Sequence, residues 1–156
     1  MSIYFNDEHE MLRQTVRRFV ESEINPNVEA WEDGRTFPAH DLFKKMGDLG
    51  LLGITYPQAY GGMGLDYWYQ VVMLEEVGRA HCAGVPMAIA VQTDMATPAL
   101  AEFGTKWQKE TFLKPAVAGT AVFSIAVSEP DAGSDVAAIQ TRAVPDGTDY
   151  LINGSK

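Results

Sequence analysis

The residues best suited to chemistry sit where an apolar run gives way to a loop, Ile125-Ala126-Val127-Ser128-Glu129-Pro130-Asp131-Ala132-Gly133-Ser134, followed by Asp135. Backbone N–H groups around a glycine, together with the hydroxyls of Ser128 and Ser134, are the donors that phosphate and heterocycle oxygens require. Gly133 is expected to supply a positive φ and a close backbone approach. Glu129 is expected to bond local backbone and fix the loop, and Asp135 to cap a turn or short helix. Elsewhere the candidates are sparse. Glu75-Glu76 reads as a solvated helix face or an inter-helix ion pair. His9, His40 and His81 lack the His or Cys spacing of a metal site. Cys82 is the only cysteine, which makes it a structural thiol in a reducing compartment.

Helices must carry most of the chain before this loop. Leu12, Val16, Phe19, Val20 and Ile24 recur at helical spacing behind an Asn6 cap and an acidic first turn, and Pro26 should kink that helix or divide it. A second helix is predicted from Pro38 to Gly50 with Leu42, Phe43, Met46 and Leu49 on one side. The glycine-rich stretch from Gly53 to Gly64 reads as a loop, and Asp66 caps a third helix reaching Arg79, whose apolar phase is ambiguous. Val85 to Met95 is apolar nearly all round, as for a helix buried on most sides, yet it contains Asp94, a carboxylate that burial would oblige to find partners. Thr97-Pro98 supplies a cap and a first position for the next helix, ended by Gly104. Thr105 and Gln108 form a capping box for the last one, interrupted at Pro115.

After Gly119 the period changes. Ala121 to Ser128 is β-branched and aromatic enough for a strand, Ile139 to Val144 alternates, and Pro145-Asp146-Gly147 is expected to turn the chain into Tyr150-Leu151-Ile152. The fold class expected is mainly α followed by the start of a β domain: residues 1–119 helical, residues 120–156 the beginning of an antiparallel β-barrel. Three strands with an open edge are not a finished sheet, so the chain is expected to be a fragment of a longer protein.

With 46% apolar residues the chain can fill a core, and 21 acidic against 12 basic residues argue against a nucleic-acid binder. Met1-Ser2-Ile3-Tyr4 followed by Asp7, Glu8 and Glu10 resembles no secretory or transit signal, and no apolar run approaches the roughly 18 residues that span a bilayer. No membrane association and a cytoplasmic location are expected.

The order Ala-Val-Ser-Glu-x-x-Ala-Gly-Ser-Asp-x-x-Ala from Ala126 resembles the signature of the FAD-dependent acyl-CoA dehydrogenases. Leu49-Gly50-Leu51-Leu52-Gly53-Ile54 with Tyr56-Pro57 and Tyr60 to Gly64, then Glu75 to Arg79, and Phe103-Gly104-Thr105 with Gln108-Lys109 are similar to the same family. The resemblance implies a helical N-terminal domain, a middle β-barrel and a C-terminal four-helix domain, of which this chain supplies the first and the start of the second. It implies that Ile125 to Ser134 lie against FAD. Val127 and Ser128 would offer donors to the pyrimidine edge of the flavin, and Gly133 and Ser134 would meet the pyrophosphate. Ser134 would also face the CoA part of the substrate. Position 125, aromatic or small and polar in many relatives, is isoleucine here, so its contact would be apolar. Met87, Ala90, Val91 and Met95 fall in the region that lines the family's acyl pocket, while core packing is their ordinary reading. The family's catalytic base lies in the C-terminal half, so no catalytic residue is expected in this chain. Gly84-Val85-Pro86 through Thr97-Pro98 further resembles members acting on branched terpenoid thioesters such as citronellyl-CoA.

The activity implied is oxidation of an acyl-CoA thioester to the trans-2-enoyl-CoA, with an electron-transferring flavoprotein as partner and a homo-oligomer when full length. Two other readings stay open: an oxidase or flavin monooxygenase of the same architecture, and a non-catalytic helical binding module.

Overall fold

The computed structural model describes residues 4–156; Met1, Ser2 and Ile3, on which the reading of the N-terminal signal partly rests, lie outside them. The chain divides after Ser124 into two compact units.

In the helical unit, α1 (Asp7–Phe19) starts at the expected Asn6 cap, whose side chain accepts from the His9 backbone while His9 accepts in return from Asn6. It runs on through a π-helical turn, Val20–Ile24, and a short 3-10 turn, Asn25–Asn27, into α2 (Val28–Gly34). Of the two outcomes expected at Pro26, a kink or a division, the helix is divided, and the physical device is visible. Proline has no N–H and crowds the carbonyl one turn back, so the preceding turn opens to a wider bond from the Asn25 N–H to the Val20 carbonyl. The device recurs twice. A π turn, Val91–Ala96, precedes Pro98, and another, Lys109–Leu113, precedes Pro115.

α3 (Ala39–Asp48) buries Leu42, Phe43 and Met46, but Leu49 lies past its end and is exposed, because the chain has already left the helical spiral toward Gly50. α4 (Tyr67–Val77) is capped by Asp66, which accepts from the Trp68 N–H. Its phase is settled by packing: Tyr69, Val72, Met73, Glu76 and Val77 face inward, and Trp68 faces out. α5 (Gly84–Ala90) and the π turn after it correct the expectation of burial on most sides. Only Val85, Ile89, Gln92 and Thr93 are buried, while Met87 and Met95 are exposed. Thr97 holds the N-cap position of α6 (Pro98–Phe103), yet its hydroxyl donates to the Gln92 carbonyl rather than capping. The Thr105–Gln108 capping box opens α7 (Lys106–Gln108), and α8 (Lys114–Val117) follows its π turn without a break at Pro115. Gly119, at φ +69°, lets the backbone just past α8 pack against α3, since a Cβ there would strike the Phe43 carbonyl.

One core joins α1, α3, α4 and α5 through Val16, Phe43, Met46, Met73 and Ile89, with Leu51, Leu52 and Ile54 of the glycine-rich loop. A smaller one gathers Tyr56, Leu113 and Val117.

In the second unit, Ile125–Lys156, β1 (Arg142–Asp146) pairs antiparallel with β2 (Asp149–Asn153). The register sets Asp146 opposite Asp149, so the turn is Gly147-Thr148, with Gly147 at φ +64°. Pro145 therefore lies inside β1 opposite Tyr150, not in the turn, and the strand starts at Arg142 rather than Ile139. The strand expected over Ala121 to Ser128 is not formed. A strand needs a neighbour for its ladder, and among the described residues none pairs with this segment.

Candidate functional site: a clamped loop and an open helical strip

In the loop unit the backbone pinches at Glu129 and Ala132, whose N–H groups donate to each other's carbonyls at 2.8 and 3.2 Å. The Glu129 carboxylate turns inward and is only 6% exposed. It accepts from the Gln140 N–H at 2.7 Å, the Thr141 N–H at 3.0 Å and the Thr141 hydroxyl at 2.5 Å, with Lys156 Nζ at 3.1 Å. The Gln140 backbone bond, then the Thr141 hydroxyl, hold its pKa down at about 2. Every donor stabilises the ionised form, so Glu129 is a fastener for the loop rather than a proton acceptor near neutral pH. Lys156 also donates to the Val127 carbonyl at 2.9 Å. Asp135 caps the short turn Val136–Ala138 by accepting from the Ala137 N–H, as expected.

The clamp leaves a rim. Ile125, Ala126, Val127, Ser128, Pro130, Asp131, Gly133 and Ser134 line it, most of them exposed, while Ala132 is buried. Among the described residues, no hydrogen bond engages the hydroxyls of Ser128 and Ser134. Gly133 does not adopt the expected positive φ. A Cβ at this position would meet nothing within 4 Å, so its contribution is open space against the backbone rather than conformational freedom. Free donors around a side-chain-free backbone fit a large anionic, heterocyclic ligand such as a dinucleotide.

In the helical unit, Met87, Ala90, Val91 and Met95 share the open side of α5 and its π turn, opposite the buried Val85, Ile89, Gln92 and Thr93. The strip suits an alkyl chain. Sequence reasoning missed two residues that build it. Gln92, 1% exposed, donates to the Ala116 and Ala121 carbonyls at 3.0 Å each and accepts from the Phe123 N–H at 2.7 Å. Gln70, on α4, donates to both oxygens of Asp94. Their signal was an amide inside an apolar run, which burial obliges to be fully bonded. A cleft of about 570 Å³ lined by Arg17, Val20, Asn25, Arg79 and His81 shares no residue with the strip, and its Arg17 is committed to Glu76 at 2.8 Å.

An α-helical unit carrying an apolar strip, followed by a β unit opened by a glycine-serine loop, defines the protein's class. The acyl-CoA dehydrogenase N-terminal domain family matches residues 6–120, and the chain belongs to that family. It is 40% identical, over all of its length, to a probable acyl-CoA dehydrogenase, YngJ, of Bacillus subtilis strain 168, and covers 40% of that protein. The crystal structure of an acyl-CoA dehydrogenase from Geobacillus kaustophilus superposes with a TM-score of 0.89 at 37% identity, over 99% of this chain and 40% of that one. An acyl-CoA dehydrogenase from Bacillus anthracis, crystallised in complex with FAD, superposes at 0.88 and 30% identity, over 96% of this chain and 26% of that one. The chain thus spans about a quarter to two fifths of the length of these relatives.

Proposed function

We propose that this chain is the N-terminal part of a flavin-dependent acyl-CoA dehydrogenase. The observation that carries the reading is the construction of the loop: Glu129 is consumed in fastening it, so that Ser128, Gly133 and Ser134 are left open on its rim. The related enzyme crystallised with FAD supports that cofactor. In this reading Ile125 to Ser134 contact FAD. Val127 and Ser128 present donors to the pyrimidine edge, where negative charge grows during reduction, and Gly133 and Ser134 meet the pyrophosphate. Ser134 also faces the CoA portion of the substrate, and Met87, Ala90, Val91 and Met95 hold the acyl chain. When bound, FAD supplies the acceptor for the hydride that leaves the β-carbon. No side chain of this chain takes the α-proton. That base and most of the oligomer contacts belong to the remainder of the full-length protein, which is placed in the cytoplasm with a separate electron-transferring flavoprotein as its partner. No helix among the described residues is long and apolar enough to cross a membrane.

The test has two parts. The gene is expected to continue in frame beyond the codon for Lys156, and the full-length product to be isolated with FAD whose absorbance bleaches anaerobically on adding acyl-CoA. A colourless full-length protein that fails to take up FAD overturns the reading. Stoichiometric oxygen consumption under turnover would instead favour an oxidase. The non-catalytic module is disfavoured by membership of an enzyme family across most of the chain.

A further inference from the structure

Asp94 interrupts the open strip. It follows Ala90 by four positions, close to one turn of the helical segment, and it is half-buried. Its carboxylate accepts from Gln70 Nε2 at 3.1 and 3.3 Å, one oxygen each, and from the Thr93 hydroxyl at 2.6 Å. All these donors are neutral, and among the described residues no cation pairs with it. Gln70 is itself only 4% exposed and spends its amide on this carboxylate, so a buried side chain from a different helix orients it. A carboxylate has about four acceptor directions. Gln70 and Thr93 leave it acceptor capacity, and the half-burial leaves it an open side.

We propose that Asp94 is a specificity-determining residue of the acyl pocket: it disfavours a plain alkyl tail that reaches it and accepts one bearing a hydrogen-bond donor, such as a hydroxyl, at that point. The inference rests on the reading that the Met87 to Met95 strip lines that pocket. An alkyl segment laid over Asp94 strips water from an ionised group and returns nothing, whereas a hydroxyl replaces the water it displaces.

The test uses full-length protein and compares kcat/KM for saturated acyl-CoAs of increasing length with their ω-hydroxy counterparts, in the wild type and in Asp94→Leu, Asp94→Asn and Ala90→Phe. In the wild type, kcat/KM is expected to drop once the saturated chain reaches Asp94, and the ω-hydroxyl to recover it. Asp94→Leu should remove both effects, raising kcat/KM for the longest saturated chains by about tenfold or more while leaving the shortest unchanged. Asp94→Asn keeps the shape and an acceptor for Gln70, moves the same way by less, and decides the matter if the leucine variant fails to fold. Ala90→Phe should shorten the accepted chain in both series. If Ala90→Phe shifts the profile and neither Asp94 variant does, the proposal falls and the strip stands as pocket wall. If all three profiles superimpose on the wild type, the pocket reading falls with it.

Discussion

Glu129 and Gly133 divide the work of the loop between them, and each can be tested alone. Gly133 has no left-handed φ, and no atom lies within 4 Å of where its Cβ would stand, so the fold itself tolerates a side chain there. Gly133→Val is therefore expected to leave the apoprotein's melting temperature within experimental error and to abolish FAD retention. Equal loss of both would trace the glycine's role to the fold instead. Glu129, with its pKa held down from 4.5 to about 2, stabilises the loop fully above the ordinary carboxylate range. That contribution disappears as pH falls toward 2. Amide exchange at Gln140 and Thr141, corrected for the intrinsic pH dependence, should accelerate over that window in the wild type. Glu129→Gln, which removes the charge and half the acceptor capacity, should show fast exchange there at neutral pH.

Among the elements, the pairing of α1 with α4 turns on a carboxylate. Glu76, 2% exposed, accepts from Arg17 Nε at 2.8 Å and from Arg13 Nη1 at 3.0 Å, with Arg79 Nε at 3.7 Å. The Arg17 bond is the main cause of a pKa below the usual carboxylate range, opposed by burial and helped by Arg13. The inter-helix ion pair expected at Glu75-Glu76 is thus realised, but with Glu76 inward rather than solvated; the partly exposed Glu75 binds Arg13 at 2.8 Å. Glu76→Gln should destabilise the helical unit by about 2–3 kcal/mol, below the roughly 3–5 typical when a fully buried pair is broken, because Arg17 and Arg79 keep access to water. The wild-type contribution is present above the ordinary carboxylate range and is lost as pH falls through the depressed pKa, so the two proteins' denaturant midpoints should converge in acid. Tyr56 ties the glycine-rich loop to the π turn by donating to the Thr93 carbonyl at 2.8 Å, with the Thr97 hydroxyl 2.7 Å away. Tyr56→Phe should cost about 1–3 kcal/mol in urea unfolding, since it leaves the buried Thr93 carbonyl short of a donor.

For the molecule as a whole, the two units differ in what holds them. The helical unit has a shared apolar core, whereas every residue of β1 and β2 is exposed. Hydrogen exchange on the 156-residue chain, kept monomeric, should find α1 amides near Phe19 far more protected than those of Val144 or Leu151. Equal protection would show that the hairpin is independently stable. The same chain, mixed with FAD, acyl-CoAs and an artificial electron acceptor, should show no substrate-dependent reduction of the acceptor. Positioning supplies about 7–11 kcal/mol of a catalysed barrier, and a site lacking the walls of the full-length protein cannot supply it.

The helices and most of their caps were legible because they depend on neighbours in sequence. Asn6, Asp66 and the Thr105–Gln108 box satisfy the first N–H groups of their own helices, and Asp135 caps the short turn that follows it, whereas the partners that clamp Glu129 (Gln140, Thr141 and Lys156) lie 11 or more residues along the chain and were not legible. Tertiary structure decided whatever depends on a distant partner. The phase of α4, the open side of α5 and the amides of Gln70 and Gln92 follow from which elements pack together, which apolar runs such as Val85 to Met95 do not encode. The same reason explains Ala121 to Ser128, whose β-branched residues favour a strand that no described neighbour completes. Gly133 shows the limit at a single residue: the sequence marked it as a site for close approach, and only the structure showed that open space, not a left-handed backbone, is what it provides.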